Sequence, residues 1–176
     1  MKYTEYFINK RLFIYFINYE YKLFNAFVFN WESDFFAISK SGYSIEVEVK
    51  ISKADFKIDA EKRCFSWMYG TKDIKKHDHI KGDETNKPNK FAYACPPNII
   101  ELSDIDQNYG LYWILENGSV VVKREPKFLH KEKMLENKKY LKILLDKFYF
   151  RNIKLRADLK YSEYDLNYGQ EKMTLI

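Results

Sequence analysis

Residues 43–51 read Tyr-Ser-Ile-Glu-Val-Glu-Val-Lys-Ile, and strict alternation over nine positions leaves this run little choice but a β-strand. A period of two sends Ile45, Val47 and Val49 to one face, where they anchor the strand in a core. It sends Glu46, Glu48 and Lys50 to the other. Just upstream, Lys40-Ser41-Gly42 carries a turn signal, since glycine accepts positive φ without strain. Phe35–Ser39 ahead of it reads as a second strand. If Ser39 pairs with Tyr43, counting outward sets Asp34 directly opposite Glu48 on the same face, with Cβ atoms about 5 Å apart. A slip of one residue would turn Asp34 to the other side, so the expectation hangs on turn length.

The rest of the chain builds around that hairpin. The spacing of apolar residues over 3–18 suits an amphipathic helix, and Asn25–Trp31 reads as a strand. Ser52 is a helix N-cap, followed by a helix carrying Phe56 through Met68. Residues 70–90 are polar and densely charged, which predicts a long loop or lid. Phe91–Cys95 is a strand halted by Pro96-Pro97. Tyr109–Leu115 and Ser119–Lys123 form a hairpin about Asn117-Gly118. Phe128 to about Phe150 reads as a lysine-rich amphipathic helix. This order predicts an α/β fold with a sheet flanked by helices. We expect one domain over 1–150, containing the polar loop 70–90, and a polar C-terminal tail over 151–176.

Composition narrows the function classes. At 46% apolar and 18% aromatic residues, the 176-residue chain can bury a sizeable core, which argues against a disordered protein. A net charge of +5, from 30 basic and 25 acidic residues, permits an anionic partner such as nucleic acid without demanding one. Two cysteines, Cys64 and Cys95, define neither a disulfide framework nor a zinc site, and read as reduced residues of a cytoplasmic protein. The apolar N-terminus is interrupted by Lys10 and Arg11, and no stretch reaches the length of a membrane span. No membrane partner is expected.

The chemistry expected of the hairpin follows from its charges. Two carboxylates about 5 Å apart repel unless a cation lies between them. Mg²⁺ or Mn²⁺ is held by one or two carboxylates together with waters and phosphate oxygens. Asp34 and Glu48 are therefore the candidate metal ligands. Lys50, two residues on, would stabilise developing charge or orient the attacking water. The competing reading makes Glu46, Glu48 and Lys50 the solvated face of an edge strand, and Asp34 a strand-start residue.

The spacing of Asp34 and Glu48-Val49-Lys50 is similar to the PD-(D/E)XK nuclease signature. Residues 47–62, VEVKISKADFKIDAEK, resemble the MmcB-like DNA-repair branch of that superfamily. FAYACPP at 91–97 and YGLYWILENGSVVVKREP at 109–126 look like that branch's next strand and hairpin. WESDFFAISKSGY also looks like phage and bacterial proteins of this group. The resemblance covers roughly residues 24–126. It implies a restriction-endonuclease-like core with a mixed four-stranded sheet, Asp34 and Glu48 as ligands, and Lys50 as catalytic lysine. Ser33 stands where the signature's name has proline. Many members add a glutamate from the first helix, for which Glu5 and Glu20 are the candidates.

Other residues carry two readings each. Asp55 and Asp59, four apart on one helix face, either support Lys50 or a second metal, or cap and solvate the helix. Glu46 and Ser52 are further supporting candidates. Lys53, Lys62 and Arg63 either contact a nucleic-acid phosphate or are solvated. Lys75, Lys76 and His77 suggest a phosphate-gripping loop, whereas His77-Asp78-His79 without cysteine makes a poor zinc site. Trp31, Trp67 and Trp113 read as core. The expectation is a Mg²⁺- or Mn²⁺-dependent endonuclease acting on DNA in a bacterial or phage-infected cell, with a homodimer left open. The competing expectation is a catalytically inactive nuclease-fold protein that binds DNA or serves virion assembly.

Overall fold

The fold is taken from a computed structural model that describes residues 3–64, 74–82, 86–134, 141–142 and 145–146. The chain divides into two compact units, 1–137 and 138–176. In the second, the described residues Leu141, Lys142, Leu145 and Asp146 are helical, and Lys142 pairs with Asp146 one turn on.

The first unit is an α/β fold with a six-stranded mixed sheet flanked by helices, matching a restriction-endonuclease-like core. Its strands are β1 (Tyr21–Phe27), β2 (Glu32–Ile38), β3 (Ser44–Val49), β6 (Lys90–Cys95), β7 (Gly110–Ile114) and β8 (Val120–Arg124), hydrogen-bonded in that order. The β1–β2–β3 meander and the β7–β8 hairpin are antiparallel, while β6 runs parallel to both β3 and β7. Two strands, β4 (Arg63–Cys64) and β5 (Ile74–Lys75), form a separate small ribbon. The helices are α1 (Glu5–Tyr15), α2 (Lys53–Ala60) and α3 (Lys76–Lys81).

Alternation decides which side of the sheet faces what. Phe35, Ala37, Ile45, Val47, Val49, Ala92, Ala94, Tyr112 and Ile114 share one face, and α1 covers it with Ile8, Leu12 and Phe16. Ile8 and Leu12, four apart, lie one above the other on the helix. Thr4 caps α1 by accepting a hydrogen bond from the Phe7 amide. Phe16 stacks on Phe35 at 5.5 Å between ring centres. The opposite face carries Glu46, Glu48, Phe91 and Tyr93, with α2 packed over it through Phe56, whose ring meets Tyr93 edge-on at 5.3 Å.

The central hairpin has the register expected of it. Phe35 pairs with Val47 and Ile38 with Ser44, which places Asp34 across from Glu48. Ser39 and Tyr43 close the turn through a backbone bond of 2.9 Å, and Gly42 takes φ of +89°. The Asn117-Gly118 turn is also present, with Gly118 at φ of +86°.

Four expectations shift. β1 begins at Tyr21 rather than Asn25, because Asn25 adopts φ of +47° opposite Asp34 and interrupts the ladder there. α2 ends at Ala60, and the chain turns into β4 at Arg63 instead of continuing helical through Met68. The polar segment 70–90 holds β5 and α3 rather than a lid. Residues 128–133 are not helical, because their backbone bonds to other segments: the Leu129 amide donates to Asn89, and the Asn89 side chain donates to the carbonyls of His130 and Glu132. Met134 is buried, its amide donating to Gly42, and the remainder of that expected helix, apart from the four helical residues named above, lies outside the described residues, as does Trp67.

Candidate active site

Glu46, Glu48 and Lys50 are buried, at 0%, 0% and 5% exposure, which overturns their reading as a solvated edge. β3 is central, hydrogen-bonded to β2 on one side and β6 on the other. Carboxylates in such a place persist only when paired and hydrogen-bonded. Their partners come from four further segments.

Glu46 accepts the Trp31 indole N–H at 2.8 and 3.0 Å and lies 2.8 Å from the Lys76 ammonium. Lys76, the first residue of α3, is fully buried and also bonds Glu48 Oε1. Its charge lies over the rings of Trp31 and Phe91, at 5.5 and 5.1 Å. Glu48 Oε2 meets Lys50 at 3.1 Å, and Lys62, half-buried, stands 3.7 Å from Glu48 Oε1. Burial opposes ionisation of Glu48, but Lys76, Lys50 and Lys62 together hold its carboxyl below the ordinary range. Burial raises the Glu46 carboxyl despite Lys76.

Lys50 spans from Glu48 to Asp59, 3.0 Å away at the end of α2. Burial disfavours its charge, yet Glu48, Asp59 and Asp34 raise its pKa above the ordinary lysine value. Asp59 is itself fixed. It accepts from the Tyr93 hydroxyl at 2.8 Å and meets His77 Nε2 at 2.9 Å. Those bonds and the nearby lysines outweigh burial and depress its carboxyl. The Tyr109 hydroxyl closes the row, 3.4 Å from His77 Nδ1.

Asp34 differs from the other three carboxylates. It is only partly buried, and among the described residues its one hydrogen bond comes from the Val49 amide, at 2.8 Å to Oδ2. Among the described residues no ammonium lies within ion-pair distance of it. Burial, reinforced by the charge of Glu48, pushes its carboxyl up to about 7, against weaker pulls from the Val49 amide, Lys50 and Lys62. Among the described residues four carboxylates thus meet three ammonium groups, and the shortfall is felt at Asp34.

That donor set fits a hard divalent cation. Asp34 supplies an oxygen beside the Glu48 carboxylate, and an ion with one or two carboxylate ligands completes its shell with water and phosphate. Among the described residues no cluster of three or more acidic, histidine or cysteine side chains is arranged for a metal.

Several expected residues fall elsewhere. Glu5 and Glu20 are exposed; Glu5 sits in the first turn of α1, which covers the far face of the sheet, so it contributes nothing here. Glu20 directly precedes β1, its amide bonded to Ile38 at the end of β2 remote from Asp34. Ser52 and Asp55 work as a cap, with Ser52 Oγ accepting from the Asp55 amide at 3.1 Å and Asp55 accepting from Ile51. Lys53 and Arg63 are exposed, and Lys75 pairs with Glu61. Lys76 and His77 are not phosphate-gripping loop residues: one is sealed between Glu46 and Glu48, the other holds Asp59. Tyr93 and Tyr109 escaped sequence reasoning. The signal was FAYAC, whose alternation puts Tyr93 beside Glu48 once β6 is paired in parallel with β3.

Comparison with known proteins adds fold alone. No family model and no curated protein matches the chain. Among solved structures it is similar to the SPO1766 protein of unknown function from Silicibacter pomeroyi, with a TM-score of 0.62 and 12% identity over 93% of this chain and 99% of that one. Among the described residues no helix is long and apolar enough to cross a membrane.

Proposed function

We propose that the protein is a divalent-metal-dependent nuclease of the PD-(D/E)XK type that hydrolyses phosphodiester bonds in DNA. The observation that carries this reading is Asp34, a partly exposed carboxylate with no cation partner among the described residues, set across the hairpin from Glu48 with the charged Lys50 beside them. Asp34 and Glu48 would hold Mg²⁺ or Mn²⁺. Such an ion, when bound, polarises a phosphoryl oxygen and lowers the pKa of its water. The protein's own groups supply the rest. Lys50, kept charged by Glu48 and Asp59, offers a fixed ammonium to the developing phosphorane charge. Asp59, held by Tyr93 and His77, orients Lys50. Lys62, the most exposed ammonium of the cluster, would exchange its 3.7 Å contact with Glu48 for a backbone phosphate.

A second reading, a nuclease fold without catalysis that binds DNA or serves an assembly, draws on the three ammonium groups already on Glu48. The experiment that separates the two is cleavage of a panel of duplex, single-stranded and branched DNA with Mg²⁺ or Mn²⁺. Wild type should cut, and Lys50→Ala and Asp34→Asn should not. Three proteins that behave alike refute the catalytic assignment.

A further inference from the structure

We propose that the Lys76 ammonium is a built-in second cation, so that the site takes one divalent ion rather than two. The inference rests on the metal-dependent reading above and concerns how many ions that site admits.

Two-metal phosphodiesterases hold ions about 4 Å apart between shared carboxylates. Here the two buried carboxylates of β3 that could share such a pair are Glu46 and Glu48. Successive same-face positions on one strand set them side by side. The space between them is occupied. Lys76 Nζ lies 2.8 Å from Glu46 Oε1 and is bonded to Glu48 Oε1, with no exposed surface. It reaches that point from the start of α3, whose Ile80 is fully buried and whose His79 ring meets Trp31 edge-on at 5.4 Å. Trp31 in turn clamps Glu46 from the other side. The ammonium is walled by the rings of Trp31 and Phe91 and has no route to water without moving α3.

Charge points the same way. With every carboxyl ionised, as ion binding requires, Asp34, Glu46, Glu48 and Asp59 bring four negative charges against three positive from Lys50, Lys62 and Lys76 among the described residues, leaving one negative. One divalent ion makes the pocket +1, a suitable match for an incoming phosphodiester. Two would make it +3 while Lys76 stays in place, and like charges at such spacing in a partly desolvated pocket repel strongly. The half-exposed Lys62 can swing out as an ion enters, whereas Lys76 cannot. Asp34 and Glu48 therefore form the one open position, and Glu46 stays committed to Lys76.

The test is a count of Mn²⁺ ions per chain on the full-length protein, by electron paramagnetic resonance of free Mn²⁺ during titration. Wild type should bind one ion, with the site lost in Asp34→Asn. Lys76→Met should bind two, because the ammonium that fills the space between Glu46 and Glu48 is then gone, and its melting temperature should rise on adding Mn²⁺ by more than that of wild type. Lys76→Arg, which keeps the charge, should bind one. Should Lys76→Met not fold, Lys76→Gln carries the same expectation of two ions. Two ions on wild type overturn the inference, as does a folded, neutral Lys76 variant that still binds one. No ion on wild type sinks instead the metal-dependent reading beneath it.

Discussion

Asp34→Asn should stabilise the metal-free protein at alkaline pH while abolishing its Mg²⁺ response. The carboxyl rises from 3.8 to about 7 on folding, chiefly through burial and then through Glu48. A raised carboxyl in the folded state means that ionisation opposes folding. The protonated form's advantage is complete below about pH 4 and is lost as pH climbs through 7, after which the cost is constant. Three units at about 1.4 kcal/mol each give about 4 kcal/mol as a ceiling. Asp34 is partly exposed, and halving the figure for residual solvent leaves about 2 kcal/mol. Asparagine keeps the acceptor for the Val49 amide, so the substitution removes the charge and little else. Urea unfolding in EDTA at pH 4, 6 and 8.5 is the assay. Wild type and variant should coincide at pH 4, and the variant should gain about 2 kcal/mol at pH 8.5, a rise in melting temperature of roughly 4–8 °C. Adding Mg²⁺ at pH 8.5 should close the gap by stabilising wild type alone. An asparagine variant that is no more stable than wild type at pH 8.5 in EDTA would refute the claim that Asp34 is an uncompensated charge.

Further substitutions test the other contacts. Lys50→Ala leaves Glu48 and Asp59 short of a buried partner and should cost about 3 kcal/mol in urea unfolding along with cleavage. Asp59→Asn should lower the cleavage kcat by about 100-fold with little change in DNA affinity, since it frees Lys50 without touching the phosphate contacts; an unchanged kcat would remove Asp59 from the site. Trp31→Phe deletes the donor to the buried Glu46 carboxylate and should cost about 2 kcal/mol, seen as a lower urea midpoint. Gly110→Ala would set a Cβ 2.7 Å from Pro126 Cδ and 3.0 Å from Ala92 Cβ, where β7 passes β6, and should cost about 1–3 kcal/mol by thermal melting.

The parts of the fold that were legible are those whose information is local. The β2–β3 hairpin could be counted from one turn because Gly42 marks its end and alternation in 43–51 admits a single facing. The Asn117-Gly118 hairpin and the Ser52 cap were legible for the same reason. What failed was long-range. Residues 128–133 have a helical composition, yet they are held out of a helix by Asn89, some 40 positions away, and no periodicity within the segment reports that. α2 stops at Ala60 because Lys62 and the β4–β5 ribbon take over the chain, again through partners distant in sequence: the Lys62 carbonyl accepts the Lys76 amide.

The site divides along the same line, and the division explains its chemistry. Asp34, Glu48 and Lys50 were readable because one hairpin and one strand period place all three. Their meaning changed with the neighbours brought by β6 and α3. A hairpin alone puts two carboxylates at a water-facing surface, where repulsion is screened and a cation is optional. The parallel strand β6 adds Phe91 and Tyr93 to that face, and α3 closes over it, so solvent can no longer carry the charge. Each buried carboxylate must then find a fixed counter-charge, and the segment that reads as a mobile basic loop is where Lys76 and His77 come from. Three carboxylates are satisfied in this way. The fourth, Asp34, sits at the rim, where water reaches it and, among the described residues, no ammonium comes within ion-pair distance.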